Sequence, residues 1–161
     1  MSKILRSCFS LLAALGFATV LAGQFRGFEA ASVLPPALTT VAPGETAEIE
    51  LVLRIRPGYH INSDKPAEDY LIPTRLEWEA DEVEVESISY PEAETVTYSF
   101  SEKPLSVFSG EIVIRTEVKA ASDLAAAPRE LRGKLRYQAC NDKACLAPVT
   151  VDVAAPLQVK P

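Results

Sequence analysis

Ala47, Ile49, Leu51, Leu53 and Ile55 alternate with Glu48, Glu50, Val52, Arg54 and Arg56. A repeat of two places every second side chain on one face, which is the signature of a half-buried β-strand; a helix needs apolar residues at three- and four-residue spacing. The period of two holds from Val33 onward. Leu76, Trp78 and Ala80 alternate with Glu77 and Glu79, and Val83 and Val85 open a strand that changes phase near Ile88 and stops at Pro91. Ile112, Ile114, Thr116 and Val118 mark another strand, and the spacing predicts two more over Leu131 to Cys140 and Cys145 to Val153. Turn chemistry separates them at Pro43-Gly44, Pro57-Gly58, Asn62 to Pro66, Ser109-Gly110 and Asn141-Asp142.

About seven short strands with turns between them predict an all-β chain, an immunoglobulin-like antiparallel β-sandwich. At 161 residues there is length for one core, and the domain is expected over residues 33–156. Ala120 to Ala127 is alanine-rich but ends at Pro128, so a surface loop is expected. Glu92 to Ser106 reads as a long connection carrying Tyr98, Phe100 and Pro104. Connections of that length in a compact domain are uncommon and often act as lids, and a mobile insertion fits the same length.

Lys3 and Arg6 precede an apolar run from Cys8 to Gly23. The run is shorter than the roughly 20 residues a spanning helix needs, so residues 1–22 are expected to be a secretory signal peptide, with cleavage placed between 22 and 31. An uncleaved anchor is the minor alternative. Export changes two counts. Cys8 leaves with the signal, so two cysteines remain in an oxidising compartment, where an even pair defaults to a disulfide. Loss of Lys3 and Arg6 also leaves 14 basic against 22 acidic residues, more negative than the −6 of the full sequence. Such a surface is poorly suited to nucleic acid or to an anionic membrane face.

The chemistry rests on Cys140 and Cys145, separated by Asn141 to Ala144. A hairpin with that loop sets the two cysteines opposite each other, roughly 4.5–5.5 Å apart at Cα, where a disulfide forms with little backbone movement. Closing so short a loop contributes only roughly 2 kcal/mol, less than a bridge between distant strands. A poor staple favours a redox role modestly, but a redox pair and a structural bridge both remain open on these grounds. A metal site is the third reading: two thiolates and the single histidine, His60, give three ligands with no evident fourth. Neither metal nor cofactor is therefore expected. Strand phase places Cys140 with Lys134, Arg136 and Gln138 on the polar face, within reach of a partner thiolate, and puts Cys145 in step with the apolar Val149, Val151 and Val153. Both hold only if the strand slips near Pro148, so irregularity is expected there. Lys143 would lower a thiol pKa and Asp142 would oppose it, so charge does not choose the nucleophile.

Tyr137-Gln138-Ala139-Cys140-Asn141-Asp142-Lys143-Ala144-Cys145-Leu146-Ala147-Pro148, with Gly58-Tyr59-His60-Ile61-Asn62 upstream, resembles the N-terminal periplasmic domain of the thiol:disulfide interchange protein DsbD. Leu71-Ile72-Pro73-Thr74, Tyr90-Pro91 and Val107-Phe108-Ser109-Gly110 extend the likeness across roughly Val33 to Val153. The resemblance implies an immunoglobulin-like domain whose Cys140–Cys145 pair cycles between dithiol and disulfide, exchanging with thioredoxin-fold periplasmic proteins, cytochrome c maturation among their tasks. It also implies an aromatic cap loop over the pair, best matched by Tyr98 to Lys103 with Phe100 as the cap residue. Tyr59, His60 and Asn62 fall on the segment that lies beside the cysteines in that family. Full-length relatives continue into a membrane domain and a thioredoxin-like domain, whose roles are expected to fall here to other proteins. The expectation is thus a monomeric carrier with protein-disulfide reductase chemistry, fed by a separate membrane electron donor. Ala147 stands where the family often has proline. The alternative is a non-catalytic immunoglobulin-like interaction module with a structural hairpin disulfide.

Overall fold

The computed structural model describes residues 29–79 and 83–161. The expected signal peptide 1–22, Cys8 and the cleavage positions up to residue 28 lie outside the described residues, as does Ala80 at the end of its expected strand. The described chain forms twelve strands: β1 (Ala31–Val33), β2 (Thr39–Val41), β3 (Thr46–Ile55), β4 (His60–Asn62), β5 (Arg75–Glu79), β6 (Val83–Ser89), β7 (Glu94–Val96), β8 (Leu105–Phe108), β9 (Glu111–Ala120), β10 (Pro128–Tyr137), β11 (Ala139–Cys140) and β12 (Val149–Val159).

Two four-stranded sheets make the sandwich, ordered β1-β3-β9-β6 and β2-β12-β10-β5. The period of two read from the sequence is the period of burial. Ile49, Leu51, Leu53 and Ile55 of β3 and Ile112, Ile114, Thr116 and Val118 of β9 point inward, against Leu131, Leu135 and Tyr137 of β10 and Val153, Ala155, Leu157 and Val159 of β12. Each fully buried Leu, Ile or Val contributes roughly 1.5–3 kcal/mol, so these facing rows hold the layers together. Trp78 of β5 spans them, donating from Nε1 to Thr116 Oγ1 across the core at 2.9 Å. Its ring lies over Gly133 of β10, where a side chain would collide with the ring at 2.7 Å and with the Glu77 carbonyl. Only glycine leaves Trp78 room to reach Thr116.

Local chemistry explains the departures from the expected pattern. Pro35 and Pro36, which cannot donate ladder bonds, separate β1 in the first sheet from β2 in the second, and β2 pairs in parallel with β12 at its edge. The otherwise antiparallel sandwich thus contains one parallel edge pair. The phase change expected in β6 is a register shift between Val85 and Ser87 against β9. The turn glycines Gly44, Gly58 and Gly110 all take positive φ, and the segment between β9 and β10 is a loop. The strands run from Ala31 to Val159.

The Glu92 to Ser106 segment is not one long connection. It contains β7 and the start of β8, which pair with each other, and only residues 97–104 form a loop. These two strands join β4 and β11 in a third sheet, ordered β11-β4-β8-β7, set beside the sandwich. The expected strand Leu131 to Cys140 is divided as well. It leaves the second sheet at Gln138 and re-enters as β11 in the third. Residues 145–148 form no continuous strand; Cys145 makes a single bridge to Cys140, and β12 begins only at Val149, just past Pro148.

Candidate functional site: a capped cysteine hairpin

The third sheet places the cysteines. In its β4–β11 ribbon, Ala139 opposes Ile61 and Cys140 opposes His60. Ile61 and Ala139 enter the main core. Side chains alternate along a strand and directly opposed residues share a face, so His60, Asn62, Gln138 and Cys140 lie together on the other face. Cys140 and Cys145 form a disulfide with Cα atoms 3.9 Å apart, closer than the spacing expected from an ordinary hairpin. The loop between them closes on itself: Asn141 N–H donates to the Ala144 carbonyl at 3.0 Å, and Asn141 Oδ1 accepts from the amides of Lys143 and Ala144 at 2.9 and 3.0 Å. An asparagine at this position makes the turn with its own side chain.

The accessibility of the two sulfur-bearing residues is the reverse of the sequence expectation. Cys140 is fully buried, 0% exposed, while Cys145 is partly exposed. The phase assigned to Cys140 holds, since it shares a face with Gln138 away from the main core, but that face is covered rather than open to solvent. Cys145 escapes the core because residues 145–148 are not strand, so the phase of β12 does not extend back to it. Leu146 and Val149 beside it are themselves exposed, at 37% and 43%. A groove of about 300 Å³ runs along this side, lined by Tyr137, Ala139, Leu146, Ala147 and Val151 among others.

An aromatic stack extends outward from His60. The His60 ring stacks on Tyr98 with centroids 4.2 Å apart and planes 19° from parallel, and Tyr98 stacks on Phe100 at 5.5 Å and 18°. Burial falls off outward, from His60 at 3% exposed through half-buried Tyr98 to Phe100 at 38%. Tyr98, rather than Phe100, is therefore the ring laid on the site. It rests on a small apolar cluster of Leu71, Leu105, Val107 and Val96. Ser99 Oγ donates to the Asp142 carbonyl at 3.2 Å, fastening the loop to the cysteine hairpin, and Lys103 reaches Glu68 at 2.7 Å at its far end. Burial pushes the Tyr98 phenol above its ordinary range, with Glu94 adding to the shift, and burial lowers the His60 imidazole below its ordinary 6.5. His60 Nε2 has no hydrogen-bond partner.

Asn62 donates from Nδ2 to the Ile72 carbonyl at 3.0 Å and to Gln138 Oε1 at 3.1 Å. Tyr59, just before β4, packs against the main core. Gln138 is the site residue that the sequence reasoning missed. Its Oε1 accepts from Asn62 and from the Ile72 amide at 3.2 Å, while its Nε2 donates to the Leu146 carbonyl at 3.1 Å. One amide thus joins β4, the segment leading to β5 and the outgoing arm of the hairpin. The available signal was an uncharged amide two residues before Cys140, at a polar position where the preceding ones carry Lys134 and Arg136. Among the described residues, no three His, Cys, Asp or Glu side chains are grouped to hold a metal ion, and no helix is long and apolar enough to cross a membrane.

Solved structures resemble this chain in fold. The N-terminal periplasmic domain of ScsB from Proteus mirabilis shares the fold at 16% identity and a TM-score of 0.52, over 75% of this chain and 44% of that one. The chain thus spans less than half the length of that relative. The Neisseria meningitidis DsbD n-terminal domain in its reduced form matches at 16% identity and a TM-score of 0.42, over 70% of this chain and 82% of that one. No curated protein matches the chain. Residues 30–156 match the family described as thiol:disulfide interchange protein DsbD, N-terminal, and with its sandwich and cysteine hairpin the chain belongs to that family.

Proposed function

We propose that this domain is a periplasmic thiol–disulfide carrier that passes electrons between thioredoxin-fold proteins through Cys140 and Cys145. The observation that carries the reading is the disulfide's asymmetry, with one residue fully buried opposite His60, which carries an aromatic stack, and the other partly exposed beside an apolar groove. Exchange requires in-line approach to an accessible sulfur, so Cys145 is the sulfur that partners attack and Cys140 is the resolving cysteine. A structural bridge has no use for a cover tied to its own loop. Tyr98 and Phe100 shield the pair from adventitious thiols, and a partner approaching from the Leu146 and Val149 side lifts them. His60 and Asn62 line the covered face, with Tyr59 supporting β4 from the core.

Membership in the DsbD family supports thioredoxin-like partners, and the periplasmic N-terminal domain of ScsB supports export; we read residues 1–22 as the signal and 33–156 as the working domain. A separate membrane protein supplies the electrons, and the domain acts as a monomer. The test is reduction of the folded oxidised domain by a reduced thioredoxin-fold protein, followed by thiol alkylation and mass measurement. The expected result is conversion of Cys140 and Cys145 to a dithiol with the sandwich intact. A disulfide that stays oxidised until the domain is denatured contradicts the reading.

A further inference from the structure

We propose that His60 is the acid–base residue of the pair, taking the proton from Cys140 when that thiol resolves a mixed disulfide held on Cys145. The inference rests on the carrier reading above and assigns the proton transfers within it. Cys140 is fully buried, and burial raises a thiol's pKa. It is therefore a poor nucleophile unless a base lies beside it. His60 is its directly opposed partner in the β4–β11 ladder, so the two side chains leave the same face of the ribbon. The imidazole is 3% exposed and its Nε2 has no hydrogen-bond partner. A buried polar atom left unpaired costs roughly 1–3 kcal/mol, a cost that is repaid if the nitrogen serves a proton produced during turnover.

Burial keeps the ring neutral below its ordinary range, which leaves a lone pair free to accept a proton. The groups around it fit this role. The opposed strand contributes Cys140 and the cap loop contributes Tyr98, whose phenol stays neutral. Glu94 on β7 is the carboxylate that acts on this stack. Asp142 and Lys143, in the hairpin loop, are exposed to solvent.

The reduced domain's Cys145 thiolate attacks the partner's disulfide, forming a Cys145–partner bond and releasing the partner's other sulfur as a thiolate. Cys140 then gives its proton to His60 Nε2 and attacks Cys145 Sγ. The Cys140–Cys145 bond forms, the Cys145–partner bond breaks, and the departing partner sulfur receives the proton from His60. The domain loses two electrons and the partner gains them.

The test uses the reduced domain and an aromatic disulfide reagent that releases one coloured thiolate when Cys145 attacks and a second when Cys140 resolves. His60→Phe retains a ring to stack on Tyr98 but removes the base. It is expected to slow the second release by about 10²-fold and to leave the first within about twofold. The pH dependence of the second release should shift from the lowered histidine range to that of a buried thiol, above the ordinary value of about 8.5. An unchanged second phase and profile in His60→Phe overturns the proposal while the carrier reading stands. Failure of both phases in the wild-type domain overturns both. Should His60→Phe not fold, the wild-type imidazole, the only one in the chain, is titrated by NMR in the disulfide and dithiol forms. Different midpoints are expected, because the Cys140 thiol is present in only one form, and identical midpoints overturn the proposal.

Discussion

At the scale of single residues, the site depends on polar groups held out of water. His60 is buried with a lowered pKa, so the unfolded chain binds a proton more readily than the folded one. The resulting stability is fully present above the unfolded value of about 6.5 and is lost as pH falls toward and through the lower folded value. Chemical unfolding followed from neutral to mildly acidic pH should therefore show declining stability that His60→Phe reduces. An identical slope in both proteins contradicts the assignment. Gln138 is the other residue with a large share. Gln138→Ala leaves Asn62 Nδ2 and the Ile72 amide without their shared acceptor, so a loss of roughly 1–3 kcal/mol is expected in denaturant titration. The loss should exceed that of Gln138→Glu, which keeps an acceptor.

At the scale of elements, the carrier reading makes residues 97–104 a cover, and two attachments would hold it. Tyr98 stacks on His60, and Ser99 holds the hairpin through the Asp142 carbonyl. An aromatic pair contributes roughly 0.5–1.5 kcal/mol beyond its buried area, which corresponds to roughly a two- to tenfold change in the open population. Tyr98→Ala should speed reduction of the disulfide by a small thiol by about that factor, whereas Phe100→Ala, farther out, should have the smaller effect. Equal rates in wild type and Tyr98→Ala would show that the stack does not limit access. The elements also show what the sequence could reveal. The alternation in β3 and β9 was legible because each of these strands keeps one face in the core along most of its length. The third sheet was not, because β4 is buried on both faces and β11 is two residues long, too short to display a period. Cys140 illustrates the limit. Its phase was readable, but the ring stacked on its opposed partner His60 comes from a loop about 40 positions away in the chain, and local spacing carries no information about it.

At the scale of the whole molecule, the sandwich and the redox pair are separable. The core lies between the two large sheets, where Trp78 bonds Thr116 across the layers, while the disulfide closes a short hairpin in the third sheet. Replacing both cysteines by serine should cost only roughly 2 kcal/mol and leave a cooperatively folded domain by circular dichroism; loss of the fold would make the bridge a structural staple. Separability is what a carrier needs, since its dithiol form must remain folded to meet the next partner. The most direct measurement of the central claim is a mixed-disulfide trap in the native cell. Cys140→Ser leaves the more exposed Cys145 without its resolving partner, and mass spectrometry identifies what stays attached. The account predicts a thioredoxin-fold protein joined to Cys145, with much less captured by Cys140 in the Cys145→Ser protein. Absence of any thioredoxin-fold partner from both traps would contradict it.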